Sequence, residues 1–426
     1  MKHLLVDISP LREHREFRLL WSGQAVTFLG SMITYVAIPY QVFQITGSTL
    51  LVGLLGAVEF VAVVSTALVG GALADAVDRR LMVRVTEGAL LLCSVALVVN
   101  AQLEDPSVGL LFGLAGLMTV FDALQRPSLD ALLPRLVPRE QVLAAGALNA
   151  LKGTGGMIVG PALGGLLIAW LGLPGTYSVD VATFFVSLLL LQRMKAVPPP
   201  PDAERPSLRG IVEGLRYARS RPELMGTYLV DMNAMFFGMP NALFPAIAAG
   251  YGGASVLGLL YSAPAVGSML ATLTSGWTKR VRRHGLAVIW AAGLWGVAII
   301  VFGLAQWLWL ALLALALAGA ADMVSGLFRM AIWNMTIPDR LRGRLAGVEM
   351  ISYASGPTLG NVEAGAVSSL TTPRFSAGLG GVLCVVGTIA LALALPEFRR
   401  YESGEPEHDP AGADVGLGEH DLDARP

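Results

Sequence analysis

The sequence predicts an all-α membrane protein with twelve transmembrane helices in two six-helix pseudo-repeat halves. Of its 426 residues, 54% are hydrophobic and only 14% are charged, whereas soluble domains average about 25% charged residues. The mean hydropathy is +0.63. Apolar stretches follow one another along the chain, each near the roughly 20 residues that a membrane helix needs. Related motifs also recur at a shift of roughly 200 residues, which is typical of transporters built from internal repeats.

Three pairs of motifs support the internal repeat. They are residues 53–55 (GLL) with 258–260 (GLL), 137–140 (VPRE) with 337–340 (IPDR), and 160–165 (GPALGG) with 356–361 (GPTLGN). Single matches of Gly and Ala are common in so apolar a composition. The argument therefore depends on the three pairs occurring in the same order in both halves.

Twelve apolar segments of spanning length divide the chain into domains. They are predicted at about 18–45, 48–73, 81–103, 107–132, 140–170 and 177–195, and then at about 223–250, 253–276, 285–304, 306–335, 345–370 and 374–396. The N-terminal half is thus residues 18–195 and the C-terminal half is residues 223–396. Residues 1–17 flank the first segment, and residues 196–222 link the halves. The acidic, Gly- and Pro-containing tail, residues 397–426, is predicted to be disordered.

Lys and Arg alternate between loops and so predict the orientation of the protein. They concentrate in the N-terminal flank, the linker, the C-terminal tail and the loops after segments two, four, eight and ten. Basic loops stay in the cytoplasm, so we expect a multi-pass protein of the bacterial inner membrane with both termini cytoplasmic. No short apolar core with a cleavage site is present near the N-terminus, which favours an uncleaved first helix.

The linker contains two features of different kinds. Pro198–Pro201 interrupts the helical pattern, and residues 208–221 (LRGIVEGLRYARSR) then place apolar and basic residues at helical spacing. This spacing favours an amphipathic helix on the cytoplasmic surface, with its arginines near anionic headgroups. A plain solvated linker helix explains the same pattern equally well.

The loop between segments two and three carries a candidate gating motif of Gly71, Asp75, Arg79 and Arg80. Small residues there let two helices approach closely. An Asp at a membrane edge can pair with a neighbouring Arg or face a helix N-terminus, and so hold one conformation closed. The alternative interpretation is an ordinary loop whose basic residues only set the orientation.

Segment five carries a glycine motif, Gly156, Gly160, Pro161, Gly164 and Gly165. Glycines four residues apart lie on one helix face, and Pro161 bends the helix because it removes a backbone hydrogen bond. Any tightly packed membrane helix can carry glycines at this spacing, so ordinary helix packing is the alternative.

Charged and amide side chains within the spans are the remaining candidates for chemistry. The candidate proton or substrate site consists of Glu59, Asp231, Asn233, Asp322 and Arg329. Glu59 falls roughly 16 Å into segment two, near the middle of the membrane. All five histidines lie outside the spans, so proton coupling requires buried carboxylates. For any single acid, an internal ion pair or hydrogen bond is the competing explanation.

Asp122 and Arg126 stand one helical turn apart on segment four, and we predict a structural or gating pair. Cys93 and Cys384 lie inside apolar segments of opposite halves and are expected to be small buried apolar groups rather than a disulfide. No set of His or Cys residues with metal-ligand spacing occurs, so no metal site is predicted.

Aromatic and Met residues in the spans could line an adaptable apolar cavity, although packing explains most of them. They are Phe28, Tyr35, Tyr40, Phe60, Met235, Phe236, Phe237, Tyr261, Trp290, Trp295 and Trp333.

Residues 15–400 resemble a twelve-helix transporter of the major facilitator superfamily. Residues 71–80 resemble the superfamily's signature between helices two and three, although Asp78 stands where Gly is usual. Residues 156–165 resemble the motif of its proton-exchanging exporters. The proline run with residues 208–217 is similar to the bacterial subgroup that contains the enterobactin exporter and the Tap-type multidrug pumps. The resemblance implies a proton-driven exporter of amphipathic small molecules.

We therefore expect a secondary transporter that exports a siderophore or hydrophobic drug by proton antiport and alternating access. Its partners would be the small-molecule substrate and the lipid bilayer, with no nucleic acid, no cofactor beyond the proton gradient, and a monomeric state. An uptake facilitator or proton symporter for a small organic solute is the alternative, against which the Gly-Pro motif argues. A membrane enzyme or sensor is disfavoured, because the sequence contains no phosphate-binding loop or metal-spaced ligands.

Overall fold

The computed structural model describes residues 6–76, 78–195 and 216–402. Within these ranges only the backbone is described for residues 67–76, 133, 339–344 and 346–354. The predicted amphipathic stretch at 208–221 therefore lies largely outside the described residues, and most of the predicted tail does so as well.

The described residues are almost entirely helical and contain no strand. The helices are α1 (Ser9–Glu13), α2 (Arg15–Thr46), α3 (Thr49–Ala76), α4 (Arg79–Gln102), α5 (Val108–Leu132), α6 (Val142–Gln192), α7 (Pro222–Phe237), α8 (Phe244–Ala249), α9 (Ala254–Leu273), α10 (His284–Leu304), α11 (Leu308–Thr336), α12 (Asp339–Leu370), α13 (Pro373–Ala394) and α14 (Pro396–Arg400). Short 3-10 turns at Leu133–Arg135, Arg139–Gln141, Asn241–Leu243 and Ser275–Arg280 connect several of them.

Nine of the described helices are long and apolar enough to cross a membrane. One of them, α6, has 51 residues and contains both the fifth and sixth predicted segments. Gly172 breaks it with φ 66° and ψ −179°, a backbone conformation that glycine adopts without a steric penalty. With α6 crossing twice, and with α7–α8 and α12 included, the architecture is compatible with twelve crossings.

The seventh predicted segment is not one helix but two, α7 and α8. α7 ends at Phe237, a turn follows, and the six-residue α8 begins at Phe244. Pro240 and Pro245 explain the interruption, because proline supplies no backbone N–H and clashes with the preceding helical turn. Residues 238–243 consequently interrupt the helix within this crossing.

The two ends of the bundle have different chemistry. At the end that we call the basic end, the start of α2 meets the end of α6, where Arg15 donates to the Arg193 carbonyl at 3.2 Å and the Lys195 amide donates to Glu16 at 2.9 Å. At the opposite end, which we call the turn end, the short connections 47–48, 103–107 and 371–372 reverse the chain.

Helices before residue 195 pack mainly on one another, with α2 against α6 and α4 against α5 and α6. Helices after residue 216 do the same, with α11 against α9 and α10 and with α13 against α10. Two extensive contacts join these groups, α3 with α12 and α6 with α9. Both use the portions nearest the turn end, where Thr49 donates to the Gly365 carbonyl and Ser262 to the Ile158 carbonyl. The described bundle is therefore closed at its turn end.

Asp78 begins α4 as its N-cap. Its Oδ1 accepts from the backbone N–H groups of Arg80 at 2.8 Å and Leu81 at 3.1 Å. Replacing an N-cap Asp with Ala costs about 1 kcal/mol, so we expect Asp78→Ala to lower the thermal unfolding midpoint in detergent. Asp78→Asn preserves the acceptor oxygen and should retain most of the stability. Equal midpoints for Asp78→Ala and the wild type would contradict the capping role.

Candidate functional site

A cavity of about 240 Å³ lies between the two groups of helices, near the middle of the bundle. Its walls include Met32, Tyr35, Met157, Met235, Met239, Phe244, Tyr261, Trp295 and Asp322. Tyr35, Met235, Tyr261 and Trp295 belong to the apolar set singled out from the sequence. Trp290 of that set is 72% exposed on the outer surface instead. Flexible Met and flat aromatic side chains make the wall adaptable to apolar ligands of varied shape.

An ion cluster lies at one side of this cavity. Arg329 of α11 pairs with Asp231 of α7, and its second terminal nitrogen lies 3.6 Å from Asp322 Oδ1. The side chains of Arg329 and Asp231 are 3% and 7% exposed, whereas that of Asp322 is 41% exposed. Asp322 therefore presents a carboxylate to the cavity while Arg329 holds the cluster together. The structure thus brings together three of the five candidate residues predicted from the sequence.

Asn233 is not part of this cluster. Its Nδ2 donates to the Cys384 carbonyl at 2.9 Å and to Thr388 Oγ1 at 3.2 Å, both on α13. Asn233 therefore joins α7 to α13 on the face away from Asp231. Its position indicates a packing role rather than contact with a ligand in the cavity.

Glu59 of α3 is not among the residues that line the cavity, but it lies near two tyrosines that are. It lies close enough to Tyr35 and Tyr261 for its charge to act on both phenols. The two rings contact edge to face with centroids 5.3 Å apart. Asn241 Nδ2 donates to Tyr35 Oη at 3.2 Å, and Tyr261 Oη donates to the Asn241 carbonyl at 3.3 Å. These bonds fix the two tyrosine rings in the cavity wall.

Asp122 and Arg126 lie one turn apart on α5, and both are exposed. Their charges are close enough to interact, but they are not among the salt bridges that the described side chains form. The structure therefore does not bring their charged atoms into direct contact, and the predicted pair stays a prediction.

The candidate gating motif is only partly described. Gly71 and Asp75 lie in the last turns of α3, where only the backbone is described. Arg79 donates to the Ala131 carbonyl at 3.3 Å, and Arg80 donates to the Leu191 and Gln192 carbonyls at 3.1 and 2.8 Å. These carbonyls end α5 and α6, where a cation is favoured by the helix dipole. Both arginines thus tie α4 to its neighbours at the basic end.

The glycine motif lies where α6 contacts two other helices. A Cβ added at Gly156 would collide with Phe28, at Gly160 with Met32, and at Gly164 would lie 3.2 Å from Ile33 Cα. These three glycines therefore seat α6 against α2. Gly165 faces α9, where a Cβ would lie 2.5 Å from the Ala254 carbonyl oxygen.

Pro161 lies beside Gly165 at the same contact. Its carbonyl faces Gly258 of α9, and its ring lines the cavity. The motif therefore connects the cavity wall to the contact between α6 and α9.

Two buried acids were not predicted from the sequence. Glu87 of α4 and Asp180 of α6 are both 0% exposed. Each stands only a few residues inside its predicted segment, where acids are usually solvated at a helix end. A signal was available in the pattern, because Ser94 and Ser187 follow each acid by seven residues, two helical turns later on the same face.

The chain is similar to known transport proteins along nearly its whole length. Residues 6–414 match the family described as transmembrane secretion effector, within the major facilitator superfamily. An enterobactin exporter, EntS, of Citrobacter koseri is 30% identical over 408 residues, which cover 96% of this chain and 98% of that protein. The EntS of a Shigella boydii strain is also 30% identical, covering 95% of this chain and 97% of its own length.

Solved structures share the fold at low sequence identity. A nucleoside transporter, NupG, superposes with a TM-score of 0.75 at 12% identity, covering 89% of this chain and 99% of its own. A bacterial homologue of the human lysosomal transporter Spinster, in an inward-facing conformation, superposes with a TM-score of 0.68 at 16% identity, covering 92% and 97%. These two structures therefore share their fold with about nine-tenths of this chain.

Proposed function

The chain belongs to the transmembrane secretion effector family of the major facilitator superfamily, and on that premise we propose that it exports an amphipathic small molecule in exchange for protons. The substrate class is a siderophore or a hydrophobic drug. The membrane is the bacterial inner membrane, with the basic end in the cytoplasm because Lys and Arg favour that side. The similarity to enterobactin exporters over 96% of the chain supports the siderophore class.

One observation carries the proposal: a Met- and aromatic-lined cavity contains a carboxylate, Asp322, held by a buried arginine. The apolar wall suits the hydrophobic part of an amphipathic substrate. Asp322 offers an acceptor to hydroxyl or ammonium groups, and it can exchange a substrate contact for a proton. Asp231 neutralises Arg329 in the described conformation, so protonation of Asp322 would not leave the cluster with an uncompensated charge.

In the proposed mechanism, the two six-helix halves, residues 18–195 and 223–396, rock about the cavity. Contacts at the turn end hold the described conformation, in which the cavity would be reached from the basic end. Substrate would bind from that side. Opening of the α3–α12 and α6–α9 contacts would then release it, and proton uptake by Asp322 or Glu59 would favour return.

Inside-out membrane vesicles with an acidic interior test this function. We expect catecholate siderophores or lipophilic antibiotics, added singly, to collapse the pH gradient in vesicles that contain the protein. Asp322→Asn should retain its place in the membrane and abolish the collapse, because an amide cannot exchange a proton. Vesicles without the protein provide the background rate.

No collapse with any compound, given correctly inserted protein, would contradict proton-coupled export. A gradient that drives substrate in the opposite direction would instead indicate uptake by symport.

Asp75→Asn should abolish efflux while leaving the protein in the membrane. The expected reason is loss of a charge that closes the basic end when the turn end opens. The measurement is transport in the same vesicles together with the amount of membrane-inserted protein. Asp78→Asn, three residues later and at a helix cap, is the matched control and should transport normally. Normal transport by Asp75→Asn would remove the gating role.

A further inference from the structure

A column of buried polar side chains runs through the N-terminal bundle, away from the central cavity. At one level Glu87 of α4 lies beside Ser187 of α6. Two helical turns further along, Ser94 of α4 donates to Asp180 of α6 at 2.9 Å. Because α4 and α6 run antiparallel, each helix contributes one acid and one serine, at alternate levels. All four residues are fully buried, with 0% exposure.

The third wall of the column is α2, and two of its glycines make the approach possible. A Cβ on Gly23 would lie 2.7 Å from Ser187 Oγ, and a Cβ on Gly30 would collide with Asp180 and Thr183. These glycines stand seven residues apart, the same spacing as the acid and serine on each partner helix. The register of three helices therefore brings polar groups together at two levels, which apolar packing alone does not require.

Among the described residues, no basic side chain balances either acid. Neither Glu87 nor Asp180 is among the salt bridges of the described residues. From α2 the group facing Glu87 is Gln24, whose Nε2 donates to Glu87 Oε1 at 2.6 Å. On α5, Gln125 contacts this amide rather than the acid, because its Nε2 donates to Gln24 Oε1 at 3.4 Å. From α6 the group facing Glu87 is Ser187.

The charged residues on the same helices point elsewhere. On α4, Arg80 donates to carbonyls at the end of α6, two turns from Glu87, and Arg84 is partly exposed. On α5, Asp122 and Arg126 adjoin Gln125 but are exposed. An ionised carboxylate in such surroundings lacks the pairing that makes a buried charge tolerable.

The two acids differ in the number of hydrogen bonds that their carboxyl oxygens accept. Asp180 Oδ2 accepts from Thr34 at 2.7 Å and from Ser94 at 2.9 Å, and Thr183 Oγ1 lies 3.3 Å from Oδ1. Several hydroxyl donors stabilise a carboxylate charge. Glu87 Oε2 has no well-aligned hydrogen-bond partner, and neither has the adjacent Ser187 Oγ. A proton on Glu87 Oε2 would be donated to Ser187 Oγ and would remove the uncompensated charge, whereas rotation of the Ser187 hydroxyl toward Oε2 would supply a hydrogen bond but leave the charge.

We propose that Glu87 and Asp180 form a proton-binding site inside the N-terminal bundle, separate from the central cavity, with the proton on Glu87 in the described conformation. Hydronium in the aqueous phase transfers a proton to Oε2 and is left as water, and the new O–H group donates to Ser187 Oγ. The Gln24–Gln125 chain leads from Glu87 to α5, whose neighbouring residues Asp122 and Arg126 are exposed. Movement of α2 or α5 during the transport cycle would open this site to water.

Infrared spectroscopy of the purified full-length protein tests the site without any substrate. We expect a carbonyl stretching band from a protonated carboxyl group that is lost in Glu87→Gln. The band should persist in Glu104→Gln, which makes the same chemical change at an exposed acid. Ser187→Ala retains the acid but removes the hydrogen bond, and it should shift the band in a protein whose Glu87 is unchanged.

A spectrum of Glu87→Gln identical to that of the wild type would overturn the proposal, because Glu87 would then be ionised. If Glu87→Gln fails to fold, an unshifted band in Ser187→Ala overturns it equally. A band that stays constant when the pH is raised, and also on adding a transported compound, would overturn it by making Glu87 a permanently neutral structural group. Only the role of this site in transport rests on the proposed function. The infrared band reports the proton on Glu87 whether or not the protein exports a substrate.

Discussion

Arg329→Gln should lower the free energy of unfolding by about 3–5 kcal/mol, the cost of removing one partner of a buried ion pair. The change leaves Asp231, whose side chain is 7% exposed, without its cation. It also removes the cation that lies beside Asp322 in the cavity wall. We expect poor recovery from the membrane and no gradient collapse in vesicles. Thermal unfolding in detergent, combined with the vesicle assay, measures both effects.

Two further variants distinguish loss of the cavity-facing carboxylate from loss of the buried ion pair. Asp322→Asn removes the cavity-facing acid but leaves the Asp231–Arg329 pair intact, so it should lose transport with little loss of stability. The double variant Asp231→Asn with Arg329→Gln removes both buried charges, and it should recover much of the stability that Arg329→Gln loses. An Arg329→Gln protein as stable as the wild type would show that the pair does not hold α7 to α11.

The sequence predicted the members of this cluster better than their arrangement. Asp231, Asp322 and Arg329 were recognisable because charged residues within an apolar span are expensive and therefore informative. Asn233 was included because its amide lies in the seventh predicted segment, two residues after Asp231. Helical geometry places it about 200° around α7, and the structure accordingly finds it bonded to α13. Proximity along the chain was a poor guide where rotation about the helix axis decides the neighbour.

Hydropathy identified the helices because each must satisfy its own backbone in lipid. It did not identify the break between α7 and α8, although Pro240 and Pro245 stood in the seventh segment. Glu87 and Asp180 were missed for a different reason. Their burial depends on how α2, α4 and α6 pack, with Gly23 and Gly30 permitting the approach. No periodicity within one segment contains that information, because it belongs to three helices at once.

Gly165→Ala should stall the transport cycle by opposing closure at the turn end. A Cβ at this position would lie 2.5 Å from the Ala254 carbonyl oxygen and 2.8 Å from the Gly258 amide nitrogen. Backbone atoms cannot move aside as a flexible side chain can, so the added methyl group must separate α6 from α9. Overpacking of this kind costs about 1–3 kcal/mol, which corresponds to a roughly 5- to 150-fold shift between conformations.

The matched control is Gly155→Ala on the same helix, where an added Cβ meets nothing within 4 Å. Both variants gain the same helix propensity, so a difference between them reports the contact. Spin labels at Leu171 and Leu370, which are 55% and 86% exposed near the turn end, measure its opening after Cys93 and Cys384 are replaced.

We expect longer label distances and reduced efflux for Gly165→Ala, with Gly155→Ala matching the wild type in both. Unchanged distances and wild-type efflux in Gly165→Ala would show that the α6–α9 contact does not limit the cycle. The result matters beyond one residue, because Gly165 and Gly258 meet through backbone atoms alone. A close approach of two helix backbones leaves no side chain to repack at this point, so this part of the seal can separate and re-form in every cycle without rotamer changes.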